Sequence, residues 1–154
     1  MNLQLVRERL AEVMQERKSL TAFGMGICGC PDSTEATLSN LASKPRFAAE
    51  YGPRVAEFVK ERAELVAAVD DIGWTVDWLR QHIEPTKAVN RRRSSYGLKH
   101  VAERHSPKRY LTNGVFIAAA LIAGYRAEFV WNSPNVFFAM SERSIKAIAL
   151  PHSY

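Results

Sequence analysis

The stretch Val115-Phe116-Ile117-Ala118-Ala119-Ala120-Leu121-Ile122-Ala123 carries no polar side chain on any face. A helix that is apolar all round must be surrounded by protein, so this one predicts the centre of a core and not a surface element. Thr112-Asn113 supply an N-cap, and Gly124 marks the C-terminus. The run is far shorter than the ~20 residues that cross a bilayer. With 154 residues and 47% hydrophobic content the chain is about one ordinary domain and has enough apolar material for a core.

The segments around this helix read mainly as helices. Leu3, Val6, Leu10, Val13 and Leu20 step by threes and fours, with Arg17 in the remaining slot, which predicts an amphipathic helix over about Asn2 to Ser19. A longer register runs through Tyr51, Val55, Phe58, Arg62, Leu65, Val69, Ile72, Val76, Leu79 and Ile83. Unbroken from Pro53 to Ile83, it would make a helix roughly 45 Å long with a coiled-coil-like seam. Asp70-Asp71-Ile72-Gly73 is its expected weak point. The first helix is expected to fold back on the second as an antiparallel hairpin, or the seam to be shared between two chains. Because the seam is longer than the first helix can cover, a homodimer is expected. Trp74 and Trp78 lie on another stripe, where they are expected to cover the C-terminal part.

Between these helices, the glycines and prolines of residues 21–52 predict loop, and Asp32-Ser33-Thr34-Glu35 predicts a capped short helix over Ser33 to Ser43, with Leu38 and Leu41 inward. After Pro85, Ser94-Ser95-Tyr96-Gly97 caps a helix carrying Leu98, Val101 and Ala102. Tyr125 to Trp131 and Val136 to Met140 flank the turn Asn132-Ser133-Pro134-Asn135 and read as a β-hairpin. Ser141 caps a last helix, Glu142 to Leu150, stopped by Pro151. The expected fold is mainly α with a small β-hairpin. Residues 1–84 form a long-helix hairpin or coiled-coil-like unit for packing or oligomerisation, and residues 85–154 a basic, winged-helix-like module.

Charge divides along the same line. Residues 1–84 hold 10 Lys and Arg against 13 Asp and Glu, a net of −3, while residues 85–154 hold 11 against 3, a net of +8; together they make the chain's +5. Basicity concentrated in one half points to a polyanionic partner: nucleic acid, DNA before RNA, or an acidic protein surface. With no membrane-spanning run and an acidic, amphipathic N-terminus unlike a signal peptide, the chain reads as cytoplasmic, with no membrane partner.

The candidate nucleic-acid-binding residues are Arg91, Arg92, Arg93, Ser95, Tyr96, Lys99, His100, Lys108, Arg109 and Asn113. Cations, a hydroxyl and an aromatic ring near a helix N-terminus suit phosphate contact. Base reading by Val115–Ala123 is not expected, since a recognition helix needs polar side chains. Cys28-Gly29-Cys30 lacks further ligands at metal spacing and reads as two reduced thiols, so no metal is expected. Gly24-Met25-Gly26-Ile27-Cys28-Gly29 matches a dinucleotide fingerprint by letter only, because it follows a predicted helix. His100 and His105 could serve acid–base chemistry, but no paired-carboxylate metal motif or nucleophile elbow accompanies them. The expectation is a non-enzymatic protein without cofactor.

Three segments, Ser94 to Glu103, Tyr110 to Ala120 and Ser133 to Phe138, resemble small proteins of no assigned activity encoded on bacterial plasmids and integrated elements. The resemblance covers residues 90–148. It implies a regulator or an inhibitor of host defence and assigns no mechanism and no catalytic residue; with the charge distribution, the expectation is a nucleic-acid-binding regulator or, alternatively, a protein-interaction or inhibitor module.

Overall fold

The computed structural model describes residues 1–107 and 109–149. The chain runs α1 (Leu3–Glu16), β1 (Gly26–Ile27), β2 (Cys30–Pro31), α2 (Glu35–Ala42), α3 (Ala48–Ala67), α4 (Val69–His82), β3 (Pro85–Ser94), α5 (Ser95–His105), α6 (Asn113–Ala123), β4 (Ala127–Phe129), β5 (Val136–Met140) and α7 (Glu142–Ala149). It is mainly helical, with two small antiparallel sheets.

The apolar helix is α6, and everything from Asn113 to Ala120 on it is buried. Thr112 Oγ1 accepts from the Val115 N–H at its start, and Gly124 closes it with φ +92°. Helices α1, α4 and α5 pack around it. Val6 and Leu10 of α1, Ile72, Val76 and Leu79 of α4, Val101 of α5, Phe138 of β5 and Ile145 of α7 share its core. That core therefore crosses the 84/85 boundary. A second, smaller cluster, Ile27, Leu38 and Phe58, lies where α2 packs on α3.

The single long helix expected over Pro53 to Ile83 is two. Helix α3 begins five residues earlier, at Ala48, and the break comes at Ala68 (φ −87°, ψ 28°) rather than at Gly73. Asp70 and Asp71 then fall in the first turn of α4, where the positive end of the helix dipole favours them. Gly73 faces α1 within the helix, where a Cβ would make ordinary contact, 3.4 Å from Val6 Cγ2. Arg62, which interrupted the apolar register, donates to the carbonyls of Lys18 (2.5 Å) and Met14 (2.9 Å), satisfying groups at the C-terminal end of α1. From Phe58 to Ile83 the apolar register positions are buried within the chain. The surplus seam that argued for a second copy is thus taken up internally.

Two further corrections are local. The short helix is capped by Thr34, whose hydroxyl accepts from Thr37 N–H in a capping box with Thr37, and not by Asp32. Asp32 instead takes φ +59° in the turn before it. The basic segment before α5 is a strand: β3 joins β5, which pairs with β4 on its other side, in the order β3-β5-β4. Across the β4–β5 pair Ala127 faces Phe138 and Phe129 faces Val136. The β3–β5 pairing is irregular, with register shifts on both sides of Asn90. Strand β3 went unread because it carries no apolar alternation; its inner neighbours come from β5. The expected stop at Pro151 lies outside the described residues.

Candidate nucleic-acid interface

Residues 85–154 contain three carboxylates, and each is engaged by a cation named above. Arg91 grips Glu128 through two bonds, of 2.8 and 2.5 Å. Arg93 holds Glu142 at 2.8 Å, and Asn90 Nδ2 donates to the other oxygen at 2.7 Å. These hydrogen bonds hold both carboxyls below the ordinary range. Lys99 pairs with Glu103 at 2.8 Å, and Arg109 with Asp71 of α4 at 2.8 Å. Four of the expected phosphate contacts therefore already have anionic partners within the chain.

The remaining expected residues divide. Arg92 is exposed on β3 with no carboxylate partner among the described residues. Ser95 is fully buried, and its hydroxyl accepts from the Val136 N–H at 3.0 Å, so it fastens α5 to β5 and cannot reach a ligand. Tyr96 is exposed, with the half-buried His100 ring edge-on at 4.6 Å. Lys108 lies outside the described residues. Arg91, Arg92 and Arg93 sit along a strand and not at the helix N-terminus expected for them, because the helix starts only after the Ser94 cap.

Within residues 85–149, the exposed cations without a carboxylate partner among the described residues are Lys87, Arg92, Arg104, Arg126, Arg143 and Lys146. Arg126 donates to the Lys87 carbonyl at 3.3 Å, and Glu84 N–H is bound by Ser144 Oγ at 3.2 Å, so the end of the chain from β4 to α7 gathers beside β3. Between β4 and β5 stands Trp131, 86% exposed, which sequence reasoning counted only as part of a strand. Its position next to the Asn132-Ser133-Pro134-Asn135 turn was the available signal.

Tyr96, Lys99 and Asn113 do come together, in a cleft of about 480 Å³ formed by the 21–24 loop, α3, α5, the start of α6 and the turn at Pro134. Lys99 is 5% exposed, and its Nζ lies 5.1 Å from the Tyr96 ring centre and 5.3 Å from that of Tyr110. Tyr110 itself is 75% exposed. Asn113 is 6% exposed; its Nδ2 donates to the Pro134 carbonyl and to Asn135 Oδ1, while its Oδ1 has no hydrogen-bond partner among the described residues. Glu61 and Glu64 of α3 also line it, with Phe23. Burial, then repulsion from Glu64 and Glu57, pushes the Glu61 carboxyl up. Phe23, Glu61, Glu64 and Tyr110 were missed because no local spacing links them to Tyr96 or Asn113; only the fold does.

The other candidates resolve as structure. Cys28 and Cys30 are free thiols, with Arg54 Nη1 2.5 Å from Cys30 Sγ, and among the described residues no group of three or more His, Cys, Asp or Glu could hold a metal. The glycine triplet shapes the β1–β2 turn: at Gly26 (φ +85°) a Cβ would come within 2.4 Å of the Cys30 carbonyl. His105 accepts the Trp78 indole N–H at 3.0 Å, so Trp78 fastens α4 to the end of α5, and Trp74 stacks on it at 6.4 Å. No described helix is long and apolar enough to cross a membrane. Comparison with known protein families, with curated proteins and with solved structures gave no match.

Proposed function

We propose that this protein binds nucleic acid, DNA in preference to RNA, and acts as a regulator without chemical catalysis. The observation that carries the reading is a set of exposed cations, among those of residues 85–149 left without an internal carboxylate partner, that lie on β3 and on the elements gathered beside it: Lys87 and Arg92 on β3, Arg126 before β4, and Arg143 and Lys146 on α7. Phosphate contact by such a set supplies affinity that depends on salt and hardly on sequence. The order α4, β3, α5, α6, β4, β5, with β5 in the middle of its sheet, is compatible with a winged-helix-like module. In that module α6 would be the reading helix, and its burial argues that bases are not read by it. Trp131, in the connection between β4 and β5, is the side chain suited to lie against a groove or a base.

A homodimer is not part of this reading, since the seam that motivated it is buried within the chain. A cytoplasmic location and carriage on a mobile element are what such a regulator, and the resemblance of residues 90–148, would imply. A second reading, docking on an acidic protein surface as an inhibitor, is favoured by Trp131 and Tyr110, since large exposed aromatics are common interface anchors. Gel retardation with one sequence as duplex DNA, single-stranded DNA and RNA tests the choice. Retarded DNA at low salt, with RNA weaker, is expected. No retardation of any of the three at micromolar protein would refute nucleic-acid binding and leave the protein-docking reading.

A further inference from the structure

We infer that the cleft between α3, α5 and the start of α6 is a binding site for a single nucleobase bearing an exocyclic amino group, held by Tyr110, Asn113 and Glu64. Three features of its lining select that chemistry. The buried group that lacks a partner among the described residues is an acceptor, Asn113 Oδ1, and of the two carboxylates Glu61 forms no ion pair there and Glu64 only one, with Lys60 at 3.8 Å. A complementary ligand must therefore bring N–H donors. Flat walls come from Tyr96, Tyr110 and Phe23, all exposed despite their size, and exposed aromatic faces suit stacking with a planar ring.

The third feature excludes the obvious competitors. An aromatic pair beside carboxylates would ordinarily suit an ammonium ion. Here the cation position is filled from within, because Lys99 Nζ already lies near both tyrosine rings and is fixed by Glu103. A second cation would be repelled. A phosphate is disfavoured inside the cleft by Glu61 and Glu64, so a nucleotide would enter base first and leave its phosphate toward solvent. Guanine, adenine and cytosine present an exocyclic amino group with two N–H donors, whereas thymine and uracil offer only the single imide N–H between two carbonyls, which a lining of acceptors repels. At about 480 Å³ the cleft lies in the range of small-ligand sites.

The base could belong to a free nucleoside or nucleotide, or to an unpaired position in a strand held by the basic face. Only the second source rests on the proposed function. Isothermal titration of the full chain with guanosine, adenosine, cytidine, thymidine and choline, and with a short single-stranded oligonucleotide, separates them. The amino-bearing nucleosides are expected to bind at least about fivefold more tightly than thymidine. Tyr110→Ala, at an exposed position that does not hold the fold, is expected to weaken them roughly tenfold. Glu64→Gln, also exposed, is expected to lower affinity for the same ligands and leave stability unchanged. If amino-bearing bases bind only within the oligonucleotide and Tyr110→Ala weakens that binding, the strand is the source. If nucleosides bind but no polynucleotide does, the cleft assignment stands and the nucleic-acid function falls. Equal binding of thymidine, preference for choline, or nucleoside and oligonucleotide affinities both unchanged in Tyr110→Ala would each overturn the site, and the last would do so while leaving the polyanion reading intact. Absence of binding by every nucleoside and by the oligonucleotide would overturn it as well.

Discussion

Gly114→Ala tests how the N-terminal half is joined to the central helix. Gly114 lies in the first turn of α6, where the 21–24 loop crosses it so closely that a Cβ would sit 1.7 Å from the Thr21 carbonyl oxygen and 2.8 Å from Ala22 Cα. Both obstacles are backbone, and the loop has little room to retreat: Thr21 and Gly24 bond to each other's backbone, Ala22 N–H donates to the Glu61 carbonyl at 3.0 Å, and Gly114 N–H donates to the Ala22 carbonyl at 3.0 Å. Forcing a methyl into such a site costs about 1–3 kcal/mol by overpacking. Losing the Gly114 to Ala22 bond in a buried place adds about 1–3 kcal/mol. Against this, alanine gains at most about 1 kcal/mol of helix propensity over glycine. The net is a destabilisation of about 1–5 kcal/mol, with about 3 as the working value. Gly52→Ala is the matched control: the same exchange, also in a helix, but with nothing within 4 Å of the new methyl. It should stabilise by roughly 0.5–1 kcal/mol. Urea unfolding followed by circular dichroism measures both. If Gly114→Ala is as stable as wild type, the loop does not lie on α6 and the cleft has lost one wall.

Tyr125→Phe should cost about 1–2 kcal/mol, because the buried hydroxyl donates its one proton at the end of α4, to the Ile83 carbonyl at 2.5 Å with that of Leu79 also within 3.0 Å, and the phenylalanine leaves the Ile83 acceptor without it. In the native protein burial pushes this tyrosine up to about 12, so a spectrophotometric titration should show one tyrosine ionising later than an ordinary one, and a uniform titration near 10 would contradict its burial. His82 is held below its usual 6.5 by burial and then by His105, whose ring lies 4.7 Å away. The unfolded chain therefore takes up the proton first, and stability should fall as the pH drops below about 6.5 until the folded histidine also charges. His82→Gln should flatten that part of the pH–stability curve, and an unchanged slope would refute the assignment. Sedimentation equilibrium at micromolar concentration is expected to give a monomer, and a dimer would point to the exposed Val59 and Val66 of α3 as its contact.

What the sequence disclosed and what it concealed follow from the range of the interactions. Helix α6 and its limits were legible because apolar content, a threonine cap and a glycine stop are all local, and the 3.6-residue periodicity of α1 and α4 was visible for the same reason. The turn at Asn132 to Asn135 also announced itself. Helix α3 and α4 looked continuous because the apolar register runs through Ala68 without a shift, and only the packing of α1 and α6 on α4 tells where the chain bends. Strand β3 was hidden by its arginines, of which Arg91 and Arg92 are exposed and Arg93 half-buried, and the ion pairs of Arg91 and Arg93 join residues 37 and 49 positions apart. The cleft was the least legible. Its walls come from residues 22 to 135, so Tyr96 and Asn113 could be singled out by type, but not placed beside Glu61, Glu64 and Tyr110.

Fluorescence anisotropy with labelled duplex DNA, titrated at several salt concentrations, tests the central claim most directly. If Lys87, Arg92, Arg126, Arg143 and Lys146 all meet phosphates, log affinity should fall with log salt at a slope of about −4 to −5. Arg92→Ala should reduce that slope by about 1. Glu128→Gln, which releases Arg91 from its internal partner, should strengthen binding and steepen the slope. Affinity that does not change with salt, or an Arg92→Ala protein that binds with the wild-type slope, would contradict the assignment of this face to nucleic acid.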